Sequence, residues 1–187
     1  MKKVAVAAVL CATLSSTAFA LKLEGGLLYG LRTMSNATIK DPYGNGGIFY
    51  PYLALEIVKS VIIGVGYDIG YSRSANMGIF DERTTLKIEG YEAFLCLQPR
   101  FGSLEPRLKI GVANYSYKQT VDSRYLDNFK VEQTKTTFTV GAGLKIYVLK
   151  NFFLTGEVIY IPLKVKPIED EVDLTGMRIL GGLGFRL

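Results

Sequence analysis

Asp68, Glu92, Lys109, Lys145, Glu157 and Arg178 each interrupt a stretch otherwise dominated by apolar, hydroxyl and glycine residues. Carboxylates in such a setting could serve as general acid and base. Carboxylates and cations together could instead form a buried ion-pair network, because a charge taken out of water must be paired or hydrated. Histidine, the side chain most often used for proton transfer near neutral pH, is absent from the chain. No catalytic residue is therefore assigned, and the six charges are read as a structural set. Cys11 falls in the N-terminal segment, which leaves Cys96 alone in the body of the chain and excludes an intrachain disulfide there. Cys96 shares a face with Glu92, Phe94 and Gln98 and reads as a small buried filler. The acidic run IEDEVD (168–173) has the carboxylates of a calcium site but no spacing that would fix a coordination shell, so it reads as a solvated loop with no metal. DPYGNGG (41–47) precedes no helix N-terminus, so it reads as a flexible loop rather than a phosphate cradle, and no cofactor is implied.

The elements that carry these residues alternate with period two. In SVIIGVGYDIGYSR (60–73), Val61, Ile63, Val65, Tyr67, Ile69 and Tyr71 share one face, while Gly64, Gly66, Asp68, Gly70 and Ser72 share the other. Successive side chains of a strand point to opposite sides, so this is the pattern of a half-buried strand. The same reading predicts eight strands, at 21–33, 48–58, 61–73, 85–100, 106–118, 135–149, 152–165 and 174–187, with no convincing helix between them. The gaps hold 14, 2, 11, 5, 16, 2 and 8 residues, long and short in strict alternation. In an up-and-down sheet every second connection lies at the same end. The short turns thus gather at one end with both termini, and four long, mobile loops gather at the other.

The chain opens with Lys2 and Lys3, a short apolar run (4–14) and SSTAFA (15–20), the plan of a signal peptide cleaved after Ala20. The apolar run is shorter than the roughly 20 residues that span a bilayer as a helix. Loss of Lys2 and Lys3 takes the basic count from 22 to 20 against 17 acids, and the formal charge from +5 to +3. That excess is too small and too dispersed for a nucleic-acid partner. No later stretch has 18 consecutive apolar residues, yet 49% of the chain is hydrophobic and it holds 20 glycines. If the apolar faces pointed inward, the outer wall would be bare glycine backbone with few charges. Turned inside out, the bulky residues meet lipid, and glycines, hydroxyls and charges fill a narrow lumen. Closure pairs every backbone N–H and C=O, as hydrocarbon demands. The predicted fold is all-β, an eight-stranded antiparallel up-and-down transmembrane β-barrel over 21–187. Tyr29, Phe49, Tyr71 and Tyr160 near the loop ends, with Phe152 and Phe185 near the turn ends, would form two interfacial aromatic girdles.

With its A-x-A signal, eight alternating strands, four long loops and closing GGLGFRL, the mature chain resembles the small bacterial outer-membrane barrels of the OmpA, OmpX and opacity-protein type. Such barrels commonly end in an aromatic residue read by the insertion machinery. Here Leu187 is last and Phe185 lies two places earlier on the same face. The resemblance implies residence in the bacterial outer membrane, with membrane lipid and the barrel-assembly machinery as partners. It implies a non-enzymatic structural or surface-interaction role, with host or cell-surface ligands met through the long loops. A narrow conduit for small or hydrophobic molecules, as in OmpW-like barrels, is the alternative. Outer-membrane enzymes that act on lipid or peptide place a histidine at the centre of their chemistry, and this chain has none. Counted from the turn end, Asp68, Glu92 and Glu157 lie six to eight residues up their strands and Arg178 at a similar height, with Lys109 and Lys145 lower, near Glu56, Arg100 and Arg107. The expectation is a stacked ion-pair network that plugs the barrel, with Arg178 reaching Glu157 on the adjacent strand.

Overall fold

A computed structural model describes residues 22–77, 81–123, 129–166 and 171–187. The predicted signal peptide and its cleavage site lie outside the described residues, as do positions 168–170 of the acidic run. The elements in chain order are β1 (Lys22–Met34), α1 (Ala37–Tyr43), β2 (Gly46–Val58), β3 (Val61–Met77), β4 (Glu82–Leu97), β5 (Leu104–Asp122), β6 (Phe129–Tyr147), β7 (Phe152–Ile161), β8 (Lys164–Val165), β9 (Val172–Asp173) and β10 (Gly176–Arg186). Strands β1 to β7 and β10 close into one antiparallel barrel, in which each strand pairs with its sequence neighbour and β10 pairs with β1. The closing seam runs from Glu24 opposite Arg186 to Met34 opposite Gly176. β8 and β9 form a separate two-stranded ribbon above β7.

Alternation sets the two surfaces. Leu53, Val65, Val112 and Leu183 are 55, 60, 58 and 61% exposed on the outer wall. Glu24, Asp68, Glu92, Lys145 and Arg178 are at most 2% exposed inside. A water-facing protein does not spread an apolar belt of this kind around its whole circumference while it seals its charges within, and a lipid-facing barrel does.

Four differences from the sequence reading have local causes. First, the long connections are largely sheet. β3 continues to Met77, β5 to Asp122, and β6 begins at Phe129, so most of 73–84 and 118–135 is paired strand and not loop. Polar residues on both faces hide a strand that has left the membrane, because water replaces lipid on its outer side. Second, DPYGNGG is not a loop. Asp41–Tyr43 end α1, whose first turn is capped by the Asn36 side chain accepting from the Thr38 N–H at 2.9 Å, and Gly44 at φ 67° stops it. Seven residues with Pro42 among them are too few to show a helical period. Third, Tyr71 points inward and is fully buried, because a bulge shifts the β3–β4 register between Asp68 and Tyr71, with Gly70 at φ 102°. A one-residue slip exchanges the two faces, so Tyr71 leaves the predicted aromatic girdle. Tyr29, Phe49, Tyr160, Phe152 and Phe185 remain on the outer wall. Fourth, the seventh strand breaks at Pro162, which has no N–H to pair.

At the outer mouth Tyr43, Ile48, Tyr71, Leu86, Tyr117 and Leu174 belong to a buried apolar cluster beneath α1 and the β8–β9 ribbon. The Gln119 side-chain amide donates to the Tyr43 hydroxyl at 3.2 Å, and the Tyr117 hydroxyl donates to the Gln119 carbonyl. Burial holds the Tyr43 phenol above its ordinary pKa.

The closing seam is packed backbone to backbone at Gly30, where an added methyl carbon would lie 1.9 Å from the Ile179 carbonyl oxygen. Gly156 has nothing nearer than 3.8 Å. Gly30→Ala is therefore expected to lower the unfolding free energy in detergent by about 1–3 kcal/mol, with Gly156→Ala changing it by about 0.5 kcal/mol or less, as read from urea titrations followed by tyrosine fluorescence.

Candidate functional site

The lumen is the concentrated chemistry of the molecule. Among the described residues, five carboxylates (Glu24, Asp68, Glu92, Glu105, Glu157) and five cations (Arg32, Arg107, Lys109, Lys145, Arg178) are buried. They form two tiers. In the tier nearer the turns, Glu24 takes a hydrogen bond from the Tyr52 hydroxyl at 2.9 Å and pairs with Lys145 and with Arg186 Nη2 at 2.8 Å. Arg186 also binds Glu105 through both terminal nitrogens, at 2.9 and 3.0 Å. The Gln98 amide nitrogen donates to Glu24 and Glu105, and its carbonyl accepts from Lys145 at 3.0 Å.

In the upper tier Arg178 is the hub. Its Nη1 reaches Asp68 at 3.3 Å and its Nη2 reaches Glu92 at 2.7 Å. Asp68 also meets Arg32 at 3.4 Å and accepts from the Tyr115 hydroxyl at 3.3 Å. Glu92 accepts from the Tyr50 hydroxyl at 2.6 Å and from the Thr139 hydroxyl, and it pairs with Lys109 at 3.2 Å. Glu157 meets Arg107 at 3.4 Å and Lys109 at 3.7 Å.

All six sequence-predicted residues thus line the lumen, but not in the predicted pairing. Arg178 does not pair with Glu157. In register Arg178 faces Ile159, while Glu157 faces Leu180 on one side and Gly143 on the other. Arg107 faces the same Gly143 from β5, so no side chain separates Arg107 from Glu157. Arg178 instead crosses the lumen to β3 and β4. Lys145 joins Glu24 of β1, which is not among the six.

Aromatic rings complete the arrangement, and the sequence reading missed them. Each of the five buried cations sits over a ring: Arg32 over Tyr115 at 4.6 Å, Arg107 over Tyr52 at 5.6 Å, Lys109 over Phe94 at 4.2 Å, Lys145 over Phe153 at 4.5 Å and Arg178 over Tyr50 at 4.6 Å. A cation over a ring face is attracted by the ring quadrupole, and more strongly when water is excluded. Several guanidinium N–H groups, among them Arg32 Nε and Nη2, Arg107 Nε and Arg178 Nε, have no hydrogen-bond acceptor in the protein. Each ring in turn lies over an inward-facing glycine of the adjacent strand. A methyl group would come within 2.4 Å of the ring or its hydroxyl at Gly26 (Tyr52), Gly64 (Phe94), Gly66 (Tyr50), Gly90 (Tyr115) and Gly184 (Phe153). The signal was present in the alternation. With Phe49, Pro51 and Leu53 outward, Tyr50 and Tyr52 had to be inward.

Cys96 is buried on this inner face and free, as a filler would be. Among the described residues no group of histidine, cysteine, aspartate and glutamate side chains is arranged to hold a metal ion.

The sequence profile of the family described as "Outer membrane protein beta-barrel domain" matches residues 4–186. The chain belongs to this outer-membrane β-barrel family. Its members' fold and its own apolar wall place it in the bacterial outer membrane. Solved structures agree on the architecture. The N-terminal β-barrel domain of Pseudomonas aeruginosa OprF is 17% identical with a TM-score of 0.51, covering 89% of this chain and 97% of that one. Ail, the attachment invasion locus protein of Yersinia pestis, solved with the heparin analogue sucrose octasulfate, is 14% identical with a TM-score of 0.54, covering 89 and 97%. A major outer membrane protein from Thermus thermophilus is 10% identical with a TM-score of 0.61, covering 90 and 100%. At these identities the likeness is one of fold. No curated protein matches the sequence.

Arg178, fully buried, joins two of the five buried carboxylates, Asp68 and Glu92. Arg178→Met leaves Asp68 and Glu92 short of a partner, and the barrel is expected to lose about 3–5 kcal/mol of stability. The Arg178→Met, Glu92→Gln pair should lose less than the sum of its single variants, a coupling that a double-mutant cycle of urea unfolding in detergent measures directly.

Proposed function

We propose that this outer-membrane barrel is non-enzymatic, carries no flow through its lumen, and works as a membrane-stabilising scaffold that presents its outer end to ligands. One observation carries the proposal. The lumen is occupied by five carboxylate–cation sets on aromatic rings, with an apolar cluster above them at the mouth. Eight strands enclose little more room than side chains need. A network with this many mutual partners cannot be parted without exposing unpaired charge in a low-dielectric interior.

The outer end supports the interaction half of the reading. β6 pairs with β7 only from Val140 downward, so its residues 129–139 rise past their neighbour. β3 likewise continues from Gly70 to Met77 beyond its last pairing with β2. Strands β3 to β6 thereby build a raised sheet, firmer than free loops and suited to holding a surface in place. That Ail was solved in complex with a heparin analogue is in keeping with a ligand-binding role for a barrel of this fold. The absence of histidine supports the non-enzymatic half. Membrane lipid and the barrel-assembly machinery are the further partners in this reading, and residues 1–20 are a signal peptide removed before insertion.

In planar lipid bilayers the purified protein is expected to give no steady channel of porin size, and a sustained ohmic current would overturn the sealed-lumen reading in favour of a conduit. Replacing 120–130 by a short turn should abolish adhesion to ligand-bearing cells or matrix while the unboiled protein still migrates as a folded barrel on a detergent gel. N-terminal sequencing of the protein extracted from outer membranes should begin at Leu21.

A further inference from the structure

The two ends of the barrel differ in charge. At the turn end each connection brings one exposed cation: Lys59 between β2 and β3, Arg100 between β4 and β5, and Lys150 between β6 and β7. Lys22, exposed at the start of β1, adds a fourth at the fourth quarter of the rim. The carboxylates at that end face elsewhere. Glu24 and Glu105 are buried in the lumen, and Glu56 is largely buried and pairs with Lys22 at 3.3 Å and Arg186 at 3.9 Å. Among the described residues, no exposed side-chain carboxylate lies at this end. The raised end is different, with exposed Asp81, Glu132 and Glu171 interspersed among its cations, as in the Lys130–Glu132 and Lys164–Glu171 pairs.

The cations stand at the edge of the apolar belt. Phe101 and Leu149, the neighbours of Arg100 and Lys150, are 66 and 65% exposed, and Phe152 and Leu187 extend the same rim. A long side chain placed there lies along hydrocarbon and delivers its charge to the headgroup layer. Arg100 is partly held, since its Nε donates to the Gly102 carbonyl at 3.0 Å and its guanidinium lies 4.1 Å from the centre of the Tyr147 ring. Lys22 is held by Glu56. Lys59 and Lys150 form no ion pair among the described residues.

We infer that the turn end carries an annular site for anionic phospholipid headgroups, in which Lys59 and Lys150, with Arg100 and Lys22 between them around the rim, hold the phosphates of phosphatidylglycerol-type lipids in the leaflet that meets the turns. The chemistry is charge-assisted hydrogen bonding from ammonium and guanidinium to phosphate oxygens, at a boundary where water competes less than in bulk. The ring fixes the depth of the barrel in its membrane independently of anything the outer end binds.

The test uses the folded protein in phosphatidylcholine bilayers doped with spin-labelled phosphatidylglycerol or spin-labelled phosphatidylcholine, with the motionally restricted fraction giving the relative association constant. The unaltered protein should prefer phosphatidylglycerol severalfold. Lys59→Gln with Lys150→Gln should lower that preference, by up to about fivefold per lysine at low salt, while Lys59→Arg with Lys150→Arg keeps it. Lys130→Gln with Lys164→Gln, at the other end, should leave it unchanged. For the unaltered protein the preference should collapse in about 1 M salt, where screening is nearly complete at headgroup distances. No preference in the unaltered protein, an undiminished preference in the Lys59/Lys150 glutamine variant, or a preference indifferent to salt would each overturn the inference.

Discussion

A closed barrel of eight strands has an interior barely wider than its own side chains, and everything else in this molecule answers to that confinement. Glycines on the inner face yield the space into which rings from the adjacent strand can lie. Tyr50, Tyr52, Phe94, Tyr115 and Phe153 take it. The rings then floor the sites of Arg178, Arg107, Lys109, Arg32 and Lys145, and those cations bind the five buried carboxylates. Glycine, ring, cation and carboxylate form an ordered series in which each member needs the previous one. Gly26, Gly64, Gly66, Gly90 and Gly184 are thus the space requirement of the aromatic layer.

An apolar interior would fill the same volume and would be no less stable in principle, since well-packed hydrophobic residues often match or exceed a buried ion pair. A strand greasy on both sides is a different object during export, however. Leu, Ile and Val on every position would turn each segment toward the long apolar run that a bilayer accepts as a helix. Alternation with Glu, Lys, Arg and Gly keeps such a run from appearing anywhere after the N-terminal segment. The inner polar face thus reconciles passage through one membrane with residence in another, and the paired network is how the folded state accommodates those polar groups.

The barrel class, the strand count and the lipid-facing side were legible because each rests on a period of two that any reader of the sequence can follow. So was the inward placing of Asp68, Glu92, Lys109, Lys145, Glu157 and Arg178. Partner choice was not. Arg178 and Glu157 are on adjacent strands, but hydrogen-bond register puts Ile159 and not Glu157 beside Arg178, and the arginine is long enough to cross to β3 and β4. Register is a property of two strands together, and no single segment encodes it. Tyr71 failed for a related reason. A bulge at Gly70 reverses the phase of everything after it, and a lone glycine in a strand already rich in glycine gives no warning. The raised parts of β5 and β6 were hidden because alternation reports contrast between environments, and above the membrane that contrast fades. Glu105 was hidden by a turn drawn too long at 101–105, where the strand in fact begins at Leu104.

The unequal strands have a geometric consequence. β3 to β6 run for 17, 16, 19 and 19 residues, whereas β7 and β10 have 10 and 11. On the β3–β6 side the wall above the belt is continued by the strands themselves, whereas above β7 it is continued by the separate β8–β9 ribbon, with Lys166 N–H bonded to the Gln133 side chain of β6. The molecule has a front and a back within the plane of the membrane. Rotation about the barrel axis therefore changes which surface is presented, continuous sheet on one side and a short ribbon on the other.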